Sequence, residues 1–67
     1  MTNVDLLKQK IASCGVTITF LASQMGISRE GLYNKINGFT EFKGSEITAL
    51  AGLLRLASEE RDKIFFA

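Results

Sequence analysis

Apolar positions recur along the chain at helical spacing in five segments. Val4, Leu7, Ile11 and Cys14 fall at i, i+3, i+7 and i+10, one face of a first helix. Thr2 or Asn3 supplies its cap and Gly15 its stop. Ile18, Leu21, Ala22 and Met25 repeat the pattern between Thr17 and Gly26, a second helix of about two and a half turns. Ser28 caps a third helix, Arg29 to about Asn37, in which Leu32 and Ile36 form one narrow core stripe and the rest is polar. After the loop Phe39-Thr40-Glu41-Phe42-Lys43-Gly44, Ser45 is expected to cap a fourth helix, with Ile47, Leu50, Ala51 and Leu54 inward. Ser58 is expected to cap a fifth, whose first turn holds Glu59 and Glu60, where the helix dipole favours negative charge. That helix runs to Ile64-Phe65-Phe66-Ala67.

The pattern predicts an all-α, compact five-helix domain occupying residues 1–67 as one unit, without repeats or a linker. Proline is absent, and most of the six glycines are expected at helix stops. Cys14, the only cysteine, is expected to fill the core; it permits no internal disulfide, and a reducing, cytoplasmic setting fits it best. Phe39 and Phe42 are expected to fold the loop onto the core, and Ile64 and Phe65 to close its end. For Phe66 two readings stand, a frayed terminus or a dimer contact.

Composition narrows the function classes. An apolar share of 46% with 22% charged residues is that of a folded domain, not a disordered chain. No segment resembles a signal peptide or approaches the length of a membrane span, so no membrane partner is expected. The chain has no histidine, phosphate-binding glycine loop, metal-ligand cluster or nucleophile motif. Neither catalysis nor a metal, cofactor or small-molecule substrate is therefore expected. The net charge of +1 is a mild argument against strong non-specific nucleic-acid binding, but its placement is uneven. Residues 1–43 hold five basic and three acidic side chains (net +2), and residues 44–67 hold three and four (net −1).

The informative stretch is Thr17 to Gly38, TITFLASQMGISREGLYNKING. Only Gly26-Ile27-Ser28 separates its two helices, and such a tight turn makes them cross steeply. Ala22 is small where the helices approach, Ile27 is expected to anchor the turn inward, and Leu32 and Ile36 pin the second helix. Leu21-Ala22, Gly26-Ile27-Ser28, Leu32 and Ile36-Asn37-Gly38 resemble the helix-turn-helix of the lambda-repressor-like, Cro/repressor family. The following SEI…LAGLLRL and terminal IFF resemble the remaining helices of small phage-type regulators of that family, so the resemblance covers nearly the whole chain.

The resemblance implies that the second helix of the motif, starting at Ser28, enters the major groove of double-stranded DNA. Its base-reading residues are then Arg29, Glu30, Tyr33 and Asn34. Arg29 suits guanine O6 and N7, and Asn34 suits adenine N6 and N7. Glu30 accepts from cytosine N4 or holds Arg29 in place, and Tyr33 meets a thymine methyl or a phosphate. Thr17, Thr19, Gln24, Ser28, Lys35, Asn37 and Lys43 are the candidates for backbone contacts, with Lys8 and Lys10 near a flanking phosphate. A weak or DNA-dependent homodimer on a pseudo-palindromic operator is expected, because one short helix reads few base pairs. Three departures from the family pattern stand out. Ile18 occupies a place that is polar in many relatives, Glu30 brings negative charge to the DNA side, and Gly31 costs its helix about 1 kcal/mol relative to alanine. The near-neutral charge and Glu30 motivate an alternative, a helical protein-interaction module such as an antirepressor or adaptor.

Overall fold

A computed structural model describes residues 1–66, so Ala67 of the expected fifth helix lies outside the described residues. The chain forms α1 (Val4–Cys14), α2 (Ile18–Met25), α3 (Arg29–Ile36), α4 (Gly44–Leu53) and α5 (Ser58–Phe65), with no strand among the described residues. None of these helices is long and apolar enough to cross a membrane.

Three helix starts follow the expected chemistry. Side chains of Asn3, Thr17 and Ser28 accept from the N–H groups of Leu6, Phe20 and Gly31 at 3.1, 3.0 and 2.9 Å, which settles the first cap on Asn3. The last two starts differ from expectation. Neither Ser45 nor Ser58 is a cap, and the helices begin one or two residues earlier than placed. Instead Glu46 and Glu60 reach back from the third helical position to accept from the N–H groups of Lys43 and Ala57, at 2.7 and 3.0 Å. A carboxylate so placed satisfies the cap residue's own N–H, one half of a capping box.

Gly15, Gly26 and Gly38 stand in left-handed backbone at helix ends, while Gly31, Gly44 and Gly52 lie inside helices, fewer stops than expected. α4 is closed without glycine. Arg55 takes the left-handed conformation (φ 54°), donating its N–H to the Gly52 carbonyl, while Leu56 N–H reaches Ala51. Gly38 is the most constrained of the glycines at helix ends. At φ +82° an added Cβ meets Val4 Cγ2 at 3.2 Å, whereas one at Gly15 meets nothing within 4 Å. Gly38→Ala is therefore expected to destabilise by about 1–2 kcal/mol for the backbone conformation, plus the displacement of Val4. Gly15→Ala should lose less. Thermal unfolding of the two variants, at about 4–8 °C per kcal/mol in a domain this small, tests the order.

The core gathers side chains from all five helices, with Leu7, Leu21, Leu32 and Leu50 fully enclosed. α2 packs on α3 and α4, and α1 on α3 and α5. Asn3 N–H donates to the Ile64 carbonyl at 2.6 Å, joining the start of α1 to the end of α5. Ile64 and Phe65 are buried as expected, and Phe65 meets Phe42 edge to face with ring centres 5.4 Å apart.

Two core expectations are corrected. Cys14 is exposed: it is the last residue of α1, almost a turn beyond Ile11, and its thiol donates to the Leu54 carbonyl at 3.7 Å. Phe39 and Phe42 do not act as a pair. Phe42 is buried, but the turn at Gly38 fixes the Phe39 N–H on the Asn34 carbonyl and leaves its ring 76% exposed. Ile27 is half-buried against the core, and Phe66 is 61% exposed.

Candidate functional site

Gly26, at φ +70°, turns the chain from α2 into α3, with Gly26 and Ile27 N–H groups satisfied by Ser23 and Ala22 carbonyls. Leu32 and Ile36 then fix α3 by burial at 0% and 2% exposure. On an α-helix residues four apart share a face, so Arg29 and Tyr33 form a row beside the buried stripe and Glu30 and Asn34 a row on the far side of the helix. Arg29, Glu30 and Tyr33 are exposed and Asn34 is half-buried. The side-chain hydrogen bonds along this helix belong to Ser28, Lys35 and Asn37. Among the described residues, none of the four row side chains is engaged in a hydrogen bond or ion pair. Arg29 and Glu30 in particular do not pair with each other.

The seven candidate backbone-contact residues divide. Thr17, Thr19, Gln24, Ser28 and Lys43 are exposed, with the Thr17 and Ser28 hydroxyl oxygens already serving as caps. Lys35 and Asn37 are committed internally. Lys35 Nζ donates to the Glu41 carbonyl at 3.0 Å and pairs with Glu46 Oε1 at 3.2 Å, its side chain only 16% exposed. Asn37 Nδ2 donates to the Tyr33 carbonyl at 2.9 Å. The bridge from α3 to α4 has no local sequence signal, since its partners lie on separate helices. Phe20, in the first turn of α2, is 47% exposed, an aromatic that helical periodicity does not single out.

Two carboxylates are held electrostatically. The Glu46 carboxyl lies below the ordinary glutamate range, first because it accepts the Lys43 N–H and further because Lys35 bonds it. Glu60 is lowered by the Ala57 N–H and then by Lys10, whose own pKa is raised chiefly by that same hydrogen bond. A lowered folded-state pKa means the stabilisation is present above the unfolded glutamate pKa of about 4.3. It is lost as pH falls through that value and then through the folded one. Denaturant midpoints are thus expected to fall on acidification in this window, and a double Glu46→Gln/Glu60→Gln variant should flatten the profile.

Two surface grooves flank α1. One, of about 400 Å³, runs between α1 and α5 past Leu6, Lys10, Glu60 and Lys63. The other, of about 260 Å³, lies between α1, the start of α2 and α3, and includes Tyr33. Compared with models of known protein families, with curated proteins and with solved structures, the chain matches none.

Proposed function

We propose that this chain is a sequence-specific DNA-binding transcriptional regulator with a lambda-repressor-like helix-turn-helix, α2 and α3 forming the motif. On this reading it is a phage or prophage repressor or Cro-like protein, acting without catalysis in the cytoplasm on a pseudo-palindromic operator. The observation that carries the proposal is α3: a helix pinned by two buried residues presents Arg29, Glu30, Tyr33 and Asn34 with their hydrogen-bonding groups uncommitted. Two of these, Arg29 and Asn34, are bidentate donors or donor–acceptors of the kind that discriminate base pairs in the major groove. Thr17, Thr19, Gln24, Ser28 and Lys43 remain as phosphate contacts. Lys35 and Asn37 leave that set, because a phosphate would have to displace their internal partners. A dimer contact through the exposed Phe66 completes the proposal, with association weak or dependent on DNA.

Selection of bound duplexes from a randomised library at moderate salt tests it. An enriched two-fold motif is the expected result, and absence of enrichment by folded protein would overturn it. The exposed rings of Phe20, Phe39 and Phe66 favour a second reading, a protein-interaction module. That reading gains if the folded protein selects no sequence.

A further inference from the structure

Lys35 and Glu46 form the least exposed ion pair among the described residues. The Lys35 ammonium touches two elements beyond its own helix. It donates to the Glu41 carbonyl in the loop at 3.0 Å and lies 3.2 Å from Glu46 Oε1 on α4. That same carboxylate oxygen accepts the Lys43 N–H at 2.7 Å. One charge-assisted cluster therefore joins the last turn of α3, the loop and the start of α4. The rest of the loop is tied on either side of it, Phe39 N–H to the Asn34 carbonyl at 2.9 Å and Phe42 by burial in the core.

This cluster lies between two parts of the proposed interface. Arg29, Glu30, Tyr33 and Asn34 precede Lys35 on α3, while Lys43 is exposed and has its backbone N–H on Glu46. Phosphate contacts set the register in which a protein meets base edges. A phosphate ligand can do so only if its distance from the reading side chains is fixed. Where that distance floats, its charge still attracts DNA, because attraction to the backbone is independent of sequence. Residues 37–43 between α3 and α4 are irregular chain, and the Lys35–Glu46 bridge spans them.

We infer that Lys35 and Glu46 are positioning residues for base reading: their bridge fixes Lys43 relative to the rows of α3 and so adds sequence discrimination without touching DNA. The inference rests on the DNA-binding reading above. It gives Glu46, whose charge repels phosphate, a favourable part in specific binding.

The test compares wild type, Lys35→Met, Lys35→Arg and Glu46→Gln on the duplex enriched by selection and on a random-sequence duplex. The readout is the ratio of the two affinities. Partial unfolding lowers both affinities alike, so a merely structural role does not move the ratio. Lys35→Met and Glu46→Gln are each expected to lower it by roughly fivefold or more, the lower end of what one bidentate base contact discriminates, and Lys35→Arg to keep it. Glu46→Gln should do so although it adds positive charge, which by itself favours binding to both duplexes. Backbone nitrogen relaxation reads the clamp without DNA. Order parameters over residues 39–43 should fall in Lys35→Met from the roughly 0.85 of rigid backbone toward about 0.6.

An unchanged ratio in both Lys35→Met and Glu46→Gln overturns the inference while the DNA reading stands. Equal weakening on both duplexes by Lys35→Met, with equal tightening by Glu46→Gln, would make Lys35 a phosphate ligand held back by Glu46. Unchanged order parameters in Lys35→Met would remove the clamp itself. If selection enriches no duplex, the DNA reading fails, and the positioning role falls with it whatever the relaxation data show.

Discussion

Leu32→Ala is expected to lower stability by about 2–5 kcal/mol, the range for emptying a well-packed leucine site. Leu32 is fully enclosed, and with Ile36 it is one of the two residues that hold α3 to the core. A domain of this size has on the order of 3–10 kcal/mol in total, so the variant loses a large fraction of its stability. The loss would reach the proposed site as well, because the exposed rows of α3 are placed by the stripe beneath them. Leu32→Met keeps volume and hydrophobicity and should cost less than about 1.5 kcal/mol. Urea unfolding separates the cases: the alanine midpoint falls steeply, the methionine midpoint slightly, with slopes unchanged. A loss under 1 kcal/mol for the alanine variant would mean that α3 is anchored by other contacts.

The second large effect falls on binding and leaves the fold alone. Arg29→Ala is expected to weaken binding to the selected duplex by about 1–3 kcal/mol, or roughly 5- to 150-fold, and to relax preference at one base pair in each half-site. Arg29 is exposed and makes no ion pair among the described residues, so stability should stay within about 0.5 kcal/mol of wild type. Asn34→Ala should behave alike at a neighbouring base pair. The signature of base reading is affinity loss on the selected duplex with little change on random duplex, whereas loss of a phosphate ligand weakens binding to both alike. Equal affinity of Arg29→Ala and wild type for the selected duplex would remove Arg29 from the reading face.

The helices were legible because their signals are local. Asn3, Thr17 and Ser28 cap neighbours three residues away, and the glycines at positions 15, 26 and 38 close helices within the same turn. Where the structure differs from these signals, a second local device is at work. Glu46 and Glu60 bond the N–H groups of the cap residues Lys43 and Ala57 where capping by the Ser45 and Ser58 hydroxyls is expected, and Arg55 closes α4 where a glycine would announce the end. Burial was harder to read. Cys14 continues the apolar spacing of α1, yet it ends the helix and stays in contact with solvent. Phe39 and Phe42 are three residues apart in one loop, and only the docking of Phe65 shows which ring belongs to the core.

By itself the sequence determined that five short helices form, where each starts to within two residues, where the first three stop, and which stripe of α3 is buried. These follow from spacing, caps and stops that act within a single turn of chain. Only the tertiary structure decided which polar groups are already engaged. Lys10 meets Glu60 across 50 residues, and Lys35 meets Glu46 from the next helix. Lys8, two residues from Lys10, is left to face a groove without acidic side chains. The physical reason is that a charged side chain's partners are set by which helices pack together, and local spacing carries no record of that.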